Sequence, residues 1–255
     1  MRQQSGFTLI ELSIVLVIVG LIIGGVMTGR DMIKAATIRA QIAQIQSYQT
    51  AVNSFTNKYE SLPGDLPPAI ATQFGFTTRS GAANQGDNNT QINAGCGTLD
   101  VGCENALFWN DLSYSGIIYS SFTTATDAQV NAPLGTVGNY LPEAKIKGNY
   151  IISGYITTNA YVTALSNSFT IIGVSHITAG SATSAMNITP QDASNIDLKI
   201  DDGKPISGSV FTTTIPAAAA VGICATDTTG APPYFYNTTT NIYANTNACN
   251  INVKF

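Results

Sequence analysis

From Leu12 to Met27 the chain carries no charged residue, only Ser13 and the glycines Gly20, Gly24 and Gly25 among Ile, Val, Leu and Met. At about 1.5 Å of rise per residue, Phe7 to Met27 extends roughly 30 Å as a helix, the thickness of a bilayer's hydrocarbon core. That is longer than the apolar core of an ordinary secretory signal, and no small-residue cleavage site follows it. The segment can therefore cross a membrane, and its one ionised residue is Glu11. A carboxylate at mid-helix costs about 2.5–3.5 kcal/mol on insertion scales, so such a residue is a functional candidate by default.

The residues ahead of this run carry a family pattern. Met1-Arg2-Gln3-Gln4-Ser5-Gly6 is a short polar leader, followed by Phe7-Thr8-Leu9-Ile10-Glu11-Leu12 and the apolar run. This arrangement resembles the processing site of the type IV prepilin and type II secretion pseudopilin superfamily. The resemblance implies cleavage by a prepilin peptidase between Gly6 and Phe7, N-methylation of the new amine on Phe7, and a filament-assembly role for Glu11, the fifth mature residue. It also implies a single-pass inner-membrane precursor with its head in the periplasm. The implied partners are an assembly platform with its ATPase, copies of the chain itself and other pilins or pseudopilins.

The chemistry of Glu11 has two readings. Leader removal leaves a charged amine on Phe7, and in a stack of parallel helices Glu11 of one subunit can lie beside that amine of the next. Attraction between such charges grows as the dielectric falls, and geometry decides whether it offsets desolvation. Alternatively, Glu11 lies near a helix N-terminus and is favoured by the helix dipole. The two are compatible. Orientation rests on the resemblance, because Arg30, Lys34 and Arg39 outnumber Arg2.

The 255 residues suffice for one transmembrane helix and one sizeable head. Charged residues make up 10% of the chain, well below the usual level, and Thr, Asn, Ser, Gly and Ala fill the gap. The net charge of −4 and the lack of a basic stripe argue against nucleic acid as a partner. Four cysteines form two local sets, Cys96 with Cys103 and Cys224 with Cys249. An even number in an exported domain favours disulfides, and of the three possible connectivities the sequential one is expected. Metal ligation is the competing reading; no Cys-x-x-Cys and a single His weaken it.

Beyond Met27, Ile38, Ile42, Ile45, Tyr48, Val52, Phe55 and Tyr59 recur at three- and four-residue steps, the stripe of an amphipathic helix. One helix from about Phe7 to Tyr59 is expected; two helices hinged at Gly24/Gly25 or Gly29 are the alternative. Many pilins carry a helix-breaking proline where this chain has Thr28. Leu62-Pro63-Gly64-Asp65-Leu66-Pro67-Pro68 ends the helix. Residues 73–102, rich in Gly, Asn and Thr, read as a surface loop stapled by Cys96–Cys103. Within it, Gly86-Asp87-Asn88-Asn89-Thr90-Gln91-Ile92 shares one carboxylate with a calcium loop but lacks its central Gly and distal Glu, so an Asx-rich turn is expected.

Residues 104–119 fit a short helix with Trp109 in the core, and 120–148 a loop. Segments 150–156 and 169–174 read as strands, with His176 after the second. Thr189-Pro190-Gln191-Asp192 is a helix start, and Pro190–Asp201 a helix. Asp197, Asp201 and Asp202, interleaved with Lys199 and Lys204, read as a solvated edge rather than an acid/base or metal site. Strands are expected at 209–214, 234–236 and 250–255. The Cys224–Cys249 bracket resembles, in position and spacing, the disulfide-bounded loop of many type IV pilins.

The expected fold is α+β and pilin-like, a long N-terminal helix packed on an antiparallel sheet. Its divisions are a leader at 1–6, a transmembrane or filament-core helix at 7–28, an amphipathic half at 29–60 and a head at 61–255. The expected function is that of a structural subunit of a type IV pilus or secretion pseudopilus, with no cofactor. A minor or tip subunit whose head binds a surface ligand or secreted substrate is the alternative. A tethered enzyme is disfavoured, since no nucleophile elbow, His-Glu-x-x-His or phosphate-cradling loop is present.

Overall fold

A computed structural model of the chain describes residues 8–81, 84–93, 103–123, 134–156, 166–178, 181–213, 224–226, 235–238 and 249–255. The first element, α1 (Leu9–Tyr59), is one uninterrupted helix of 51 residues, roughly 75 Å long. It runs straight past Gly24, Gly25 and Gly29, so the expected single helix holds and the hinged alternative does not. Glycine weakens a helix by less than about 1 kcal/mol, too little to break one propagating on both sides. The helix stops where Glu60 adopts the left-handed conformation, φ 56°, ahead of Pro63.

The head follows as an α+β unit. Helices α2 (Pro68–Phe74) and α3 (Glu104–Tyr114) flank a loop system, and a 3₁₀ turn spans Leu134–Asn139. Strands β1 (Tyr150–Ile156), β2 (Ser166–Thr178) and β3 (Ser181–Ala185) precede α4 (Pro190–Ile200). The short strands β4 (Val210–Phe211), β5 (Ala225–Thr226) and β6 (Phe235–Tyr236) and the terminal β7 (Ile251–Lys254) complete the order. The main sheet runs β1-β2-β7-β4 with β3 also on β2, every pairing antiparallel. β5 and β6 form a separate ribbon.

One core joins helix and sheet. Ile38, Ile45, Val52, Phe55 and Tyr59 from α1 meet Trp109 and Leu112 from α3 and Phe169, Ile171, Ile251 and Val253 from the sheet. Tyr48 stacks edge-on to Trp109, ring centroids 4.9 Å apart, and Trp109 lies 5.6 Å from Phe169. Gln41, fully buried on the same stripe, uses its side-chain oxygen to accept the backbone N–H groups of Lys145 and Ile146, pinning the segment before β1 to the helix.

Several local expectations change. Residues 73–102 are not simply a surface loop: Phe76, Arg79 and Ile92 are buried. The expected strand at 209–214 shortens to Val210–Phe211, and the loop at 120–148 contains the 3₁₀ turn. The strand expected at 250–255 forms as β7 in the middle of the sheet, where Asn252 is buried between Ile251 and Val253. Its amide is satisfied sideways, accepting from Thr170 Oγ1 at 2.6 Å and donating to the Phe211 carbonyl. That is how a polar residue occupies an interior strand.

Candidate assembly site

The N-terminal half of α1 has no partner in the subunit. Every residue from Leu9 to Met27 is exposed, with Leu9, Leu21 and Met27 among the large side chains more than half accessible. Its polar groups are satisfied within the helix itself. Ser13 donates to the Ile10 carbonyl and Thr28 to the Gly24 carbonyl, at 2.9 and 3.1 Å. A helix that satisfies its own backbone and hydroxyls and shows apolar side chains on all sides is suited to hydrocarbon or to a bundle of like helices.

Glu11 sits at the start of this surface. Thr8 is the N-cap of α1, and the two side chains form a capping box. Glu11 Oε2 accepts from the Thr8 backbone N–H and from Thr8 Oγ1, both at 2.8 Å, while the Glu11 N–H donates to Thr8 Oγ1 at 3.4 Å. Within one subunit the capping box therefore closes two otherwise orphaned donors of the helix N-terminus, the Thr8 N–H on the carboxylate and the Glu11 N–H on the Thr8 hydroxyl. The Thr-x-x-Glu spacing of Thr8 and Glu11 carries this signal in the sequence, though neither the pairing nor the dipole reading of Glu11 drew on it. Gly6 and Phe7 lie outside the described residues.

The head is tied to the end of the helix through buried charge. Gly64, at φ +86°, lies so close to α3 that a Cβ there would overlap the Glu104 carbonyl oxygen. Its N–H donates to Asp111 at 2.7 Å, and Asp111 takes a two-point ion pair from Arg79 at 2.9 and 3.0 Å, with both side chains fully buried. Next to this, Asp65 accepts from the backbone of Asn88 and Thr90, and Glu104 from Gly86 and Asn93. Asp87 joins them in a cluster whose carboxylate oxygens lie within 4.8 Å of one another, close enough to share one divalent cation. Burial, reinforced by the charges of Asp65 and Asp87, raises the Glu104 carboxyl to about 7 against the pull of its N–H donors. The Asx-rich turn at 86–92 is present, with Asn89 bonded to Asp87. Asp65 and Glu104 were missed as its anchors because nothing local marks residues that lie so far apart in the chain.

A second carboxylate group occupies the end of α4, and here the expected solvated edge is corrected. Asp197 is fully buried, accepting from Tyr236 Oη at 2.8 Å and from the Gly203 N–H at 3.1 Å. Burial raises it to about 7, assisted by Asp202 and Asp201. Lys199 and Lys204 lie on the open side of α4 and its cap, but Asp197 turns inward to hold the β5–β6 ribbon. Beside it, Cys224 and Cys249 form a disulfide spanning 25 residues, and Cys249 bridges to Ile188. Cys103, the buried N-cap of α3, is also disulfide-bonded; Cys96 lies outside the described residues. Trp109 is in the core, fully buried, and His176 falls within β2.

Comparison with known proteins adds one match. Residues 1–27 fit the family model of the prokaryotic N-terminal methylation motif, the type IV prepilin and pseudopilin signature, and the matched stretch includes Gly6, Phe7 and Glu11. The chain matches no curated protein and no solved structure.

Proposed function

We propose that this chain, a type IV pilin or pseudopilin precursor by its N-terminal motif, is a structural subunit of a type IV pilus or a type II secretion pseudopilus. In this reading prepilin peptidase cuts between Gly6 and Phe7, Phe7 is N-methylated, and α1 passes from bilayer to filament core. An inner-membrane platform and its ATPase drive that transfer, with the head on the periplasmic side. The observation that carries the reading is the contrast along α1: an apolar surface exposed on every side from Leu9 to Met27, on a helix whose remainder is built into a folded head. Such a surface calls for lipid first and for identical helices afterwards. In the filament, the charged amine left on Phe7 competes with Thr8 for the Glu11 carboxylate of a neighbouring subunit.

The test is a Gly6→Leu variant expressed with its native assembly genes. The precursor should accumulate uncut, six residues longer than the mature form, and no filament should contain it. Normal maturation of that variant would overturn the proposal. Abundance in sheared filaments then separates a major subunit, which dominates the preparation, from a tip subunit, which is nearly absent.

A further inference from the structure

Immediately beyond the apolar surface, α1 and α4 enclose a notch of about 350 Å³. One face of α1 supplies Asp31, Lys34 and Ile38, and one face of α4 supplies Gln191, Asn195 and Lys199 at four-residue steps. One ion pair crosses the gap. Lys34 reaches Asp192 at 3.0 Å. Asp31 and Lys199, on opposite helices, make no ion pair among the described residues, and both are exposed. The notch thus offers an unpaired carboxylate on one wall and an unpaired ammonium on the other, with amide groups between.

Its depth is set by the helix. Counting from Met27 at 1.5 Å per residue, Asp31 lies about 6 Å and Lys34 about 10 Å beyond the hydrocarbon span. The headgroup layer on each side of a bilayer is roughly 5–7 Å thick. Met32 and Ile33, at 71% and 69% exposure, carry apolar surface to the same level. A ligand that neutralises both walls there is zwitterionic, with a donor-bearing cation for Asp31 and an anion for Lys199.

We infer that this notch binds the phosphoethanolamine headgroup of a membrane lipid, its ammonium on Asp31 and its phosphate on Lys199. The inference rests on the reading of α1 as a membrane helix. A phosphatidylcholine headgroup has the same charges but no N–H to donate, and phosphatidylglycerol has no cation, so the notch discriminates against both. The bound lipid seats the head at a fixed height on the bilayer while the subunit waits to be assembled.

The test uses the full chain reconstituted in three kinds of vesicle: phosphatidylcholine alone, and phosphatidylcholine mixed with phosphatidylethanolamine or with phosphatidylglycerol. Lipids retained after mild detergent extraction are identified by native mass spectrometry, and insertion is scored separately by resistance to alkaline extraction. One phosphatidylethanolamine should be retained above its share of the bilayer. Asp31→Asn and Lys199→Gln should each lower that enrichment by about two- to fivefold, the range of a partly exposed ion pair. Lys147→Gln, in the head away from the notch, should leave it unchanged. Equal retention of all three lipids, or enrichment that survives Asp31→Asn, would overturn the inference while the membrane reading stands, provided the chain is inserted. A chain that inserts into none of the vesicles would sink both.

Discussion

The two halves of α1 share one continuous backbone and behave as different objects. Up to Met27 every side chain is exposed, and the helix satisfies its own polar groups. From Ile38 onward a stripe of Ile38, Gln41, Ile45, Val52, Phe55 and Tyr59 is buried in the head, and the opposite face stays in solvent. The lesson is that a helix need not break where its solvent changes. The boundary lies where an all-round apolar surface narrows to a stripe, and the charges at Arg30, Asp31 and Lys34 mark it more sharply than any of the glycines.

That contrast yields its largest expected effect at Phe55, which no solvent reaches. Phe55→Ala should lower the unfolding free energy of the head by about 3–5 kcal/mol. Ile18→Ala, in the exposed half, should leave it unchanged. Trp109, the single tryptophan and fully buried, gives the fluorescence signal for denaturant titration of the full chain in detergent. Equal losses in the two variants would erase the distinction between the halves.

The next effect is one of pH and belongs to the head. Glu104 and Asp197 are each raised to about 7 by burial, so the folded head holds protons that the unfolded chain releases near its ordinary values of 4.5 and 3.8. Their contribution to stability is full below those values and is lost as pH rises through about 7. Unfolding titrations from pH 4.5 to 8 should show stability falling and then levelling, with a shallower fall in Glu104→Gln. Stability that climbs with pH across this window would contradict the burial of both groups.

Smaller still is Gln41→Leu, which strands the N–H groups of Lys145 and Ile146 and should cost about 1–3 kcal/mol in the same titration. A loss no greater than that of an exposed position such as Ala43 would mean the segment before β1 does not depend on the helix. Smallest is Thr8→Val at the helix's far end. Removing this cap should cost about 1 kcal/mol of local helix stability, read as faster amide exchange at residues 9–12 with the head unaffected. Unchanged exchange there would show that the capping box does not hold the N-terminus.

Much of this was legible in advance. The length of α1, its burial stripe, the stop at Leu62-Pro63-Gly64, the strands β1 and β2, the Thr189 cap and the core position of Trp109 all follow from periodicity and local chemistry. The misses share one cause. The stretch 73–102 reads as solvated because it is polar and Gly-rich, yet Asp65, Glu104 and Asp111, distant in sequence, supply the acceptors that let its backbone and Arg79 be buried. Asp197 reads as an exposed acid because its partner Tyr236 is 39 residues away.

What the sequence determined on its own is the long helix, its two surfaces and the N-terminal methylation motif at its start, because caps, charge-free length and three-to-four periodicity act within a few turns of the chain. What the tertiary structure decided is where the polar residues of the head go: the Arg79–Asp111 pair, the two carboxylate groups, the buried amide of Asn252 and the notch between α1 and α4. Each depends on side chains meeting across tens or hundreds of residues. A buried polar group is tolerated only where a partner arrives to satisfy it, and composition and spacing do not specify which partner arrives.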